Sequence, residues 1–256
     1  VVECPLKLID NHYHFDFVEY ERKLSGDEKM VILCSPHNPG GRVWTKNELQ
    51  EVAKFAKKHN LVLVSDEIHH DLVYPNKNHT VMPIADPSVC DRLVMMTATT
   101  KTFNIAGAHS GNVIISNPNL LQKFSQRIKA LGISPNSFGL FMATAAYSPE
   151  GAQWLDQLMH YIDGNRVIFD NEINKIPGLS SMPLEGTYLA WVDFSGTGME
   201  EEEFIYRVQE KAKIAVNHGS TFGTGGEKYL RFNLATPRTL VVEATKRLKD
   251  AFSDLQ

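Results

Sequence analysis

Cysteine is scarce in this chain of 256 residues: Cys4, Cys34 and Cys90 are widely spaced and form no CxxC pair. So sparse and odd a set excludes a disulfide framework and fits reduced thiols in the cytosol, each a small apolar residue. Charge of one sign is lacking as well. Lys and Arg number 26 against 30 Asp and Glu, a formal net charge of -4, so the basic excess of a nucleic-acid binder is missing. No apolar run approaches the roughly 20 residues that span a bilayer. The opening Val1-Val2-Glu3-Cys4-Pro5 has no basic stretch followed by an apolar one, unlike a secretory leader. An initiating Met is absent too, which raises the expectation of a further N-terminal portion. What the chain does have is 43% apolar and 22% charged residues, the balance of a soluble globular protein with a real core.

Through Leu24 short apolar pieces mix with polar turns in no clear period. Met30-Val31-Ile32-Leu33-Cys34 is then a continuous apolar run of strand length, ended by the breaker cluster Ser35-Pro36-His37-Asn38-Pro39-Gly40-Gly41. Thr45, with Glu48 three residues on, predicts a capping box. The helix it opens, 46–59, keeps Leu49, Val52, Ala53 and Ala56 at helical spacing. Further strands are predicted over 61–65, 93–96 and 113–115, and helices over 119–131 and 137–147. Apolar runs without alternation imply strands covered on both faces, hence an α/β fold with a mostly parallel sheet flanked by helices.

After Ser148-Pro149-Glu150-Gly151 a long helix reaches about Asn174, and Pro177-Gly178 breaks it. A strand (187–194), a helix (200–211), strands at 214–216 and 229–234 and a final helix from about 240 compose a smaller α+β domain. The boundary falls inside the long helix, giving a large domain of 1–162 and a small one of 163–256. The acidic run Glu200 to Glu203 reads as a solvated helix start.

In an open parallel sheet, ligands bind beyond the carboxyl ends of the strands. Three predicted strands end near chemically pointed residues: Asn38 after the first, Asp66 closing the second, Lys101 after the third. Each alone has a bland reading, a turn or cap for the acid and solvated surface for the lysine. Together they would bring an amide, a carboxylate and an amine to one sheet edge. A metal site is the chemical rival, since Asp66-Glu67-Ile68-His69-His70-Asp71 with His12 and His14 offers many ligands. That segment lacks the His-Glu-x-x-His pattern and leaves Lys101 and Arg231 without a role, so no metal is expected. His70, His79 and His160 read as structural or surface residues. Neither GxGxxG nor GxxxxGK[ST] occurs, which removes the phosphate-loop nucleotide reading.

The residues around these positions are more specific than their spacing. Ser35 to Arg42, Ser65-Asp66-Glu67-Ile68-His69, Thr100-Lys101-Thr102-Phe103-Asn104-Ile105-Ala106-Gly107, Gly186-Thr187-Tyr188-Leu189 and Tyr229-Leu230-Arg231-Phe232-Asn233-Leu234-Ala235 follow one another in a recognisable order. That order resembles fold-type I pyridoxal-phosphate enzymes, specifically the cystathionine β-lyase and cystalysin branch of the class I/II aminotransferase superfamily, over essentially the whole chain. The resemblance implies a pyridoxal 5'-phosphate cofactor, an amino-acid substrate, a homodimer and roles for individual residues. Lys101 would form the imine to the cofactor and then act as the base at the substrate Cα, for which a lysine of lowered pKa is suited. Asp66 would pair with the pyridine nitrogen, Asn38 and His69 with the ring's 3-oxygen, and Arg231 with the substrate carboxylate.

The chain departs from the superfamily pattern at the phosphate. Ala98 stands where a small hydroxyl residue is expected and His109 where an arginine often sits, which leaves Thr100 as the expected contact. The implied activity is a carbon–sulfur β-lyase giving pyruvate, ammonia and a thiol. Transamination is the alternative within the superfamily, and a truncated, non-catalytic interaction module is the alternative outside it.

Overall fold

The computed structural model describes residues 1–255. The chain divides into two compact units, one of residues 1–4, 15–37 and 43–157, the other of residues 5–14, 38–42 and 158 onward. Two early elements have no counterpart in the sequence reading. Strands β1 (Lys7–Ile9) and β2 (His12–His14) pair as an antiparallel hairpin whose turn residues Asp10 and Asn11 take φ of 50° and 59°. Three residues are too few for alternation to register as a pattern. Helix α1 (Phe17–Lys23) follows, with the Asp16 carboxylate accepting from the Glu19 N–H at 3.2 Å.

The first unit is built on β3 (Met30–Cys34), α2 (Lys46–Lys58), β4 (Val62–Asp66), α3 (Met82–Ala85), β5 (Leu93–Thr97), α4 (Thr99–Thr102), β6 (Asn112–Ile114), α5 (Pro118–Ala130) and α6 (Ser137–Ala146). The sheet order is β3-β4-β5-β6; the first three strands are parallel and β6 runs antiparallel to β5. The capping box is present: Thr45 Oγ1 accepts from the Glu48 N–H at 3.3 Å, and Glu48 Oε2 accepts from the Thr45 N–H at 2.7 Å. Leu49, Val52, Ala53, Phe55 and Ala56 form the buried face of α2.

At the centre of the sheet one face is buried, with Leu63 of β4 0% exposed, while Val62 and Val64 on the other face are only partly buried. At the edges the expectation of strands covered on both faces fails. Met30 and Ile32 of β3 are 54% and 69% exposed, and all three residues of β6 are exposed.

Helix α7 (Pro149–Ile173) carries the division between the units. The second unit continues with β7 (Ser180–Ser181), β8 (Leu189–Asp193), α8 (Glu201–Tyr206) with a π-helical turn over Arg207–Lys211, β9 (Asn217–His218), β10 (Tyr229–Asn233) and α9 (Arg238–Ala251). Its antiparallel sheet has the order β7-β8-β10-β9. The strand expected at 214–216 is absent there, and β9 lies just beyond it. Lys213 takes a φ of 55°, and the Ile214 N–H donates to the Val208 carbonyl at 3.0 Å. The segment thus closes the preceding helix instead of joining the sheet.

Aromatic packing fills this unit. Phe194 stacks on Phe204 at 4.9 Å, Trp191 lies parallel to Tyr229 at 5.0 Å, and Phe169 meets Phe232 at 5.3 Å. Gly41 has φ of 67° and crowds Leu184 so closely that a Cβ would sit 2.5 Å from its Cδ1, so only glycine fits. Arg42 and Glu185 form a buried pair at 2.9 Å, and Arg42 also donates to the Tyr13 carbonyl. Among the described residues no helix is long and apolar enough to cross a membrane.

Candidate active site

In the first unit, the carboxyl ends of three parallel strands are laced together. The Ser35 N–H, just past β3, donates to the Asp66 carbonyl at 2.9 Å, and the Glu67 N–H donates to the Met96 carbonyl of β5 at 2.8 Å. Asp66 closes β4 and is in register with Met96, five residues before Lys101. Lys101 lies in the single turn of α4, directly after β5. Acid and amine therefore sit at the same end of adjacent strands.

Both groups are partly buried and available. The Asp66 carboxylate accepts from the Ile68 N–H at 3.3 Å. Among the described residues the Lys101 amine has neither a hydrogen-bond nor an ion-pair partner. His69 is 3% exposed, Thr100 is partly buried, and His109 is exposed at a φ of 45°.

Two further acids in this region, Glu67 and Asp71, carry a network that sequence reasoning left without a role. Glu67 is 1% exposed. Its carboxylate takes the Ser65 hydroxyl at 2.8 Å, the Met82 N–H at 3.1 Å and His79 Nε2 at 2.8 Å. Asp71 accepts from the Thr102 hydroxyl at 3.0 Å. The only sequence signal for these acids was their place in the acidic and histidine-rich run after β4. Among the described residues no group of three or more His, Cys, Asp and Glu is placed to hold a metal ion.

In the second unit, Asn38 and Arg231 meet. Arg231 Nη1 donates to Asn38 Oδ1 at 2.8 Å and Nη2 to Asn217 Oδ1 at 2.8 Å, while the guanidinium carbon lies 4.6 Å from the centre of the Phe222 ring. Asn217 and Phe222 were not foreseen, because nothing local marks a two-residue strand and the short helical turn after it. Burial pushes Arg231 down from its ordinary pKa, with Tyr188 opposing, yet a guanidinium stays charged. Both of its hydrogen-bond acceptors are neutral amides, and among the described residues no carboxylate pairs with it. A half-buried cation held by neutral groups is suited to an anionic ligand.

Over residues 1–248 the sequence matches the family model described as aminotransferase class I and II. The chain belongs to that family. Among its relatives, this class I and II chain is 34% identical over 256 residues to cystathionine beta-lyase PatB of Bacillus subtilis strain 168, covering 99% of itself and 66% of that protein. The crystal structure of cystalysin from Treponema denticola, which contains a pyridoxal 5'-phosphate cofactor, matches with a TM-score of 0.94 and 37% identity, over 100% of this chain and 65% of that one. The PLP-bound C-S lyase from Staphylococcus hominis matches with a TM-score of 0.89 and 29% identity, over 97% of this chain and 64% of that one. The family member thus spans just under two thirds of the length of these relatives.

Proposed function

We propose that this chain carries the cofactor-anchoring and carboxylate-binding parts of a pyridoxal-phosphate-dependent carbon–sulfur β-lyase acting on cystathionine or similar cysteine thioethers. The observation that carries the reading is Asp66 and Lys101 at the same end of adjacent parallel strands. The residues fit the cofactor: an amine with no partner among the described residues, and a carboxylate with capacity to accept from a protonated ring nitrogen. When bound, pyridoxal phosphate supplies an electron sink for the carbanion formed at the substrate Cα.

The chain's own residues do the rest. Asp66 would pair with the ring nitrogen and keep it protonated, Asn38 and His69 would hold the 3-oxygen, and Thr100 would contribute to holding the phosphate. Lys101 would hold the cofactor and would serve as the base for the Cα proton. Arg231 receives the substrate carboxylate through its fork of donors, steadied by Asn217 and by the Phe222 ring beneath it. Overall, thioether and water give a thiol, pyruvate and ammonia. The thioether sulfur leaves from Cβ with the bonding electron pair.

Transamination shares the removal of the Cα proton and departs from elimination only afterwards. Incubation with cystathionine should release pyruvate without an added 2-oxo acid. Amino transfer to a 2-oxo acid with no pyruvate released would reassign the chain to the aminotransferases proper. The sparse, unbridged cysteines support a cytosolic setting, and the relatedness supports a homodimer.

A further inference from the structure

A single helical turn cannot hold its own orientation, because the first hydrogen-bonded turn is the unfavourable step of helix formation. Lys101 sits in such a turn. Helix α4 has four residues, and Ala98 at its N-cap offers no side-chain bond. Tertiary contacts must therefore orient it. Thr99 and Thr102 are 2% and 1% exposed, and the Thr102 hydroxyl donates to Asp71 Oδ2 at 3.0 Å across 31 positions of sequence.

Asp71 lies five residues past Asp66, and the loop between them is braced from within. His70 Nε2 is 3.3 Å from Asp71 Oδ1, and His70 Nδ1 is 2.8 Å from the Glu67 carbonyl. Glu67 in turn is tied to the end of β5 through Met96 and to Ser65, His79 and Met82. A continuous bonded path thus runs from Asp66 through Glu67, His70 and Asp71 to Thr102, the neighbour of Lys101.

We propose that Asp71 and Thr102 are positioning residues that fix the Lys101 amine relative to Asp66. The proposal deepens the lyase reading and rests on it. Packing does not require the hydroxyl, since valine has nearly the same shape as threonine, so the hydroxyl's work is directional. Losing it frees the turn to rotate. Because Lys101 carries its amine at the end of a long side chain, a small rotation displaces the reacting atom by an ångström or more, which is costly for a reaction that depends on alignment.

The experiment adds pyridoxal 5'-phosphate to the full chain, fixes the adducts with borohydride, and maps labelled peptides over time. Lys54, whose side chain is 65% exposed, serves as internal reference. Thr102→Val should slow labelling of Lys101 about tenfold or more, with Lys54 unaffected. Thr102→Ser should restore the wild-type rate, and Asp71→Ala should repeat the loss. Where Thr102→Val does not fold, Asp71→Ala carries the comparison, since that side chain is 21% exposed.

Labelling of Lys101 at the wild-type rate in the folded variants overturns the positioning role and leaves the lyase reading standing. A slowing shared by Lys54 also overturns it, because the effect would then be general. Absence of Lys101 labelling in the unsubstituted chain overturns both the lyase reading and the proposal.

Discussion

At the scale of single residues, the chemistry divides between an amine that is available and a cation that is braced. Lys101→Ala should abolish the borohydride-fixed adduct at that position and, with it, turnover. Retention of pyruvate release near the wild-type rate would show that another group takes the Cα proton. Arg231→Ala should weaken substrate binding by about 2–4 kcal/mol, as for the loss of one partner of a buried charge-assisted pair. The loss should appear mainly as a raised KM, and an unchanged KM would move the carboxylate site elsewhere.

The candidates Asn38, Asp66, Lys101 and Arg231, whose roles are proposals, could be named from the sequence because each sits in a distinctive local stretch near a strand. Their supports were not legible. The bond from Thr102 to Asp71 spans 31 positions and that from Arg231 to Asn38 spans 193, and no local pattern reports pairings of that range. Polar residues whose partners are distant in sequence look like ordinary turn and surface residues until the fold joins them.

At the scale of elements, the same contrast between local and distant causes decides what could be read. Strands β3, β4 and β5 announce themselves as apolar runs, and α2 through its cap and its apolar spacing. Thr45→Ala should cost about 1 kcal/mol, the usual value of a lost N-cap, measurable as a lower denaturant midpoint with an unchanged slope. Strands β1, β2 and β9, of two or three residues, owe their existence to partners, so the sequence reading passes over them. The extent of α7 was also legible, but not the buried carboxyl it carries.

Asp170 on that helix accepts the Ser181 hydroxyl at 2.7 Å and Arg166 Nη1 at 3.3 Å. Even so, burial raises its carboxyl above the ordinary value of 3.8, with Ser181 and Arg166 only partly opposing. An acid whose pKa is higher in the folded state binds more protons there. Its contribution to stability is therefore present below 3.8 and lost as pH rises through the folded value. Asp170→Asn should remove that loss, so the variant should gain on the wild type between acid and neutral pH. Unfolding midpoints measured across that range test the sign, and a gain that shrinks as pH rises would contradict it.

At the scale of the whole molecule, the distribution of apolar surface is uneven. Helix α6 reads SFGLFMATAA, without a charged residue. A helix apolar all round is ordinarily buried. Here Phe138 and Phe141 are 73% and 77% exposed, Leu140 and Met142 are 54% and 44% exposed, and Ile32 on the sheet edge is 69% exposed. The chain spans 65% of the cystalysin chain it matches. A phenylalanine presents about 150–250 Å² of surface, so two of them mostly exposed correspond to several kcal/mol, at about 25 cal/mol per Å², available to any contact that covers them.

Isolated at micromolar concentration, the chain should therefore self-associate through this helix. Replacing both rings, Phe138→Ser with Phe141→Ser, should lower the sedimentation-velocity mass average toward that of one chain and reduce binding of an apolar fluorescent dye. Because exposed side chains contribute little to folding, the unfolding free energy should shift by no more than about 0.5 kcal/mol per site. A large fall in stability would place these rings in a core, and the exposure would then not describe the chain in solution. Leu63→Ala provides the contrast, a fully buried position where about 2–5 kcal/mol should be lost with no effect on association of the folded fraction.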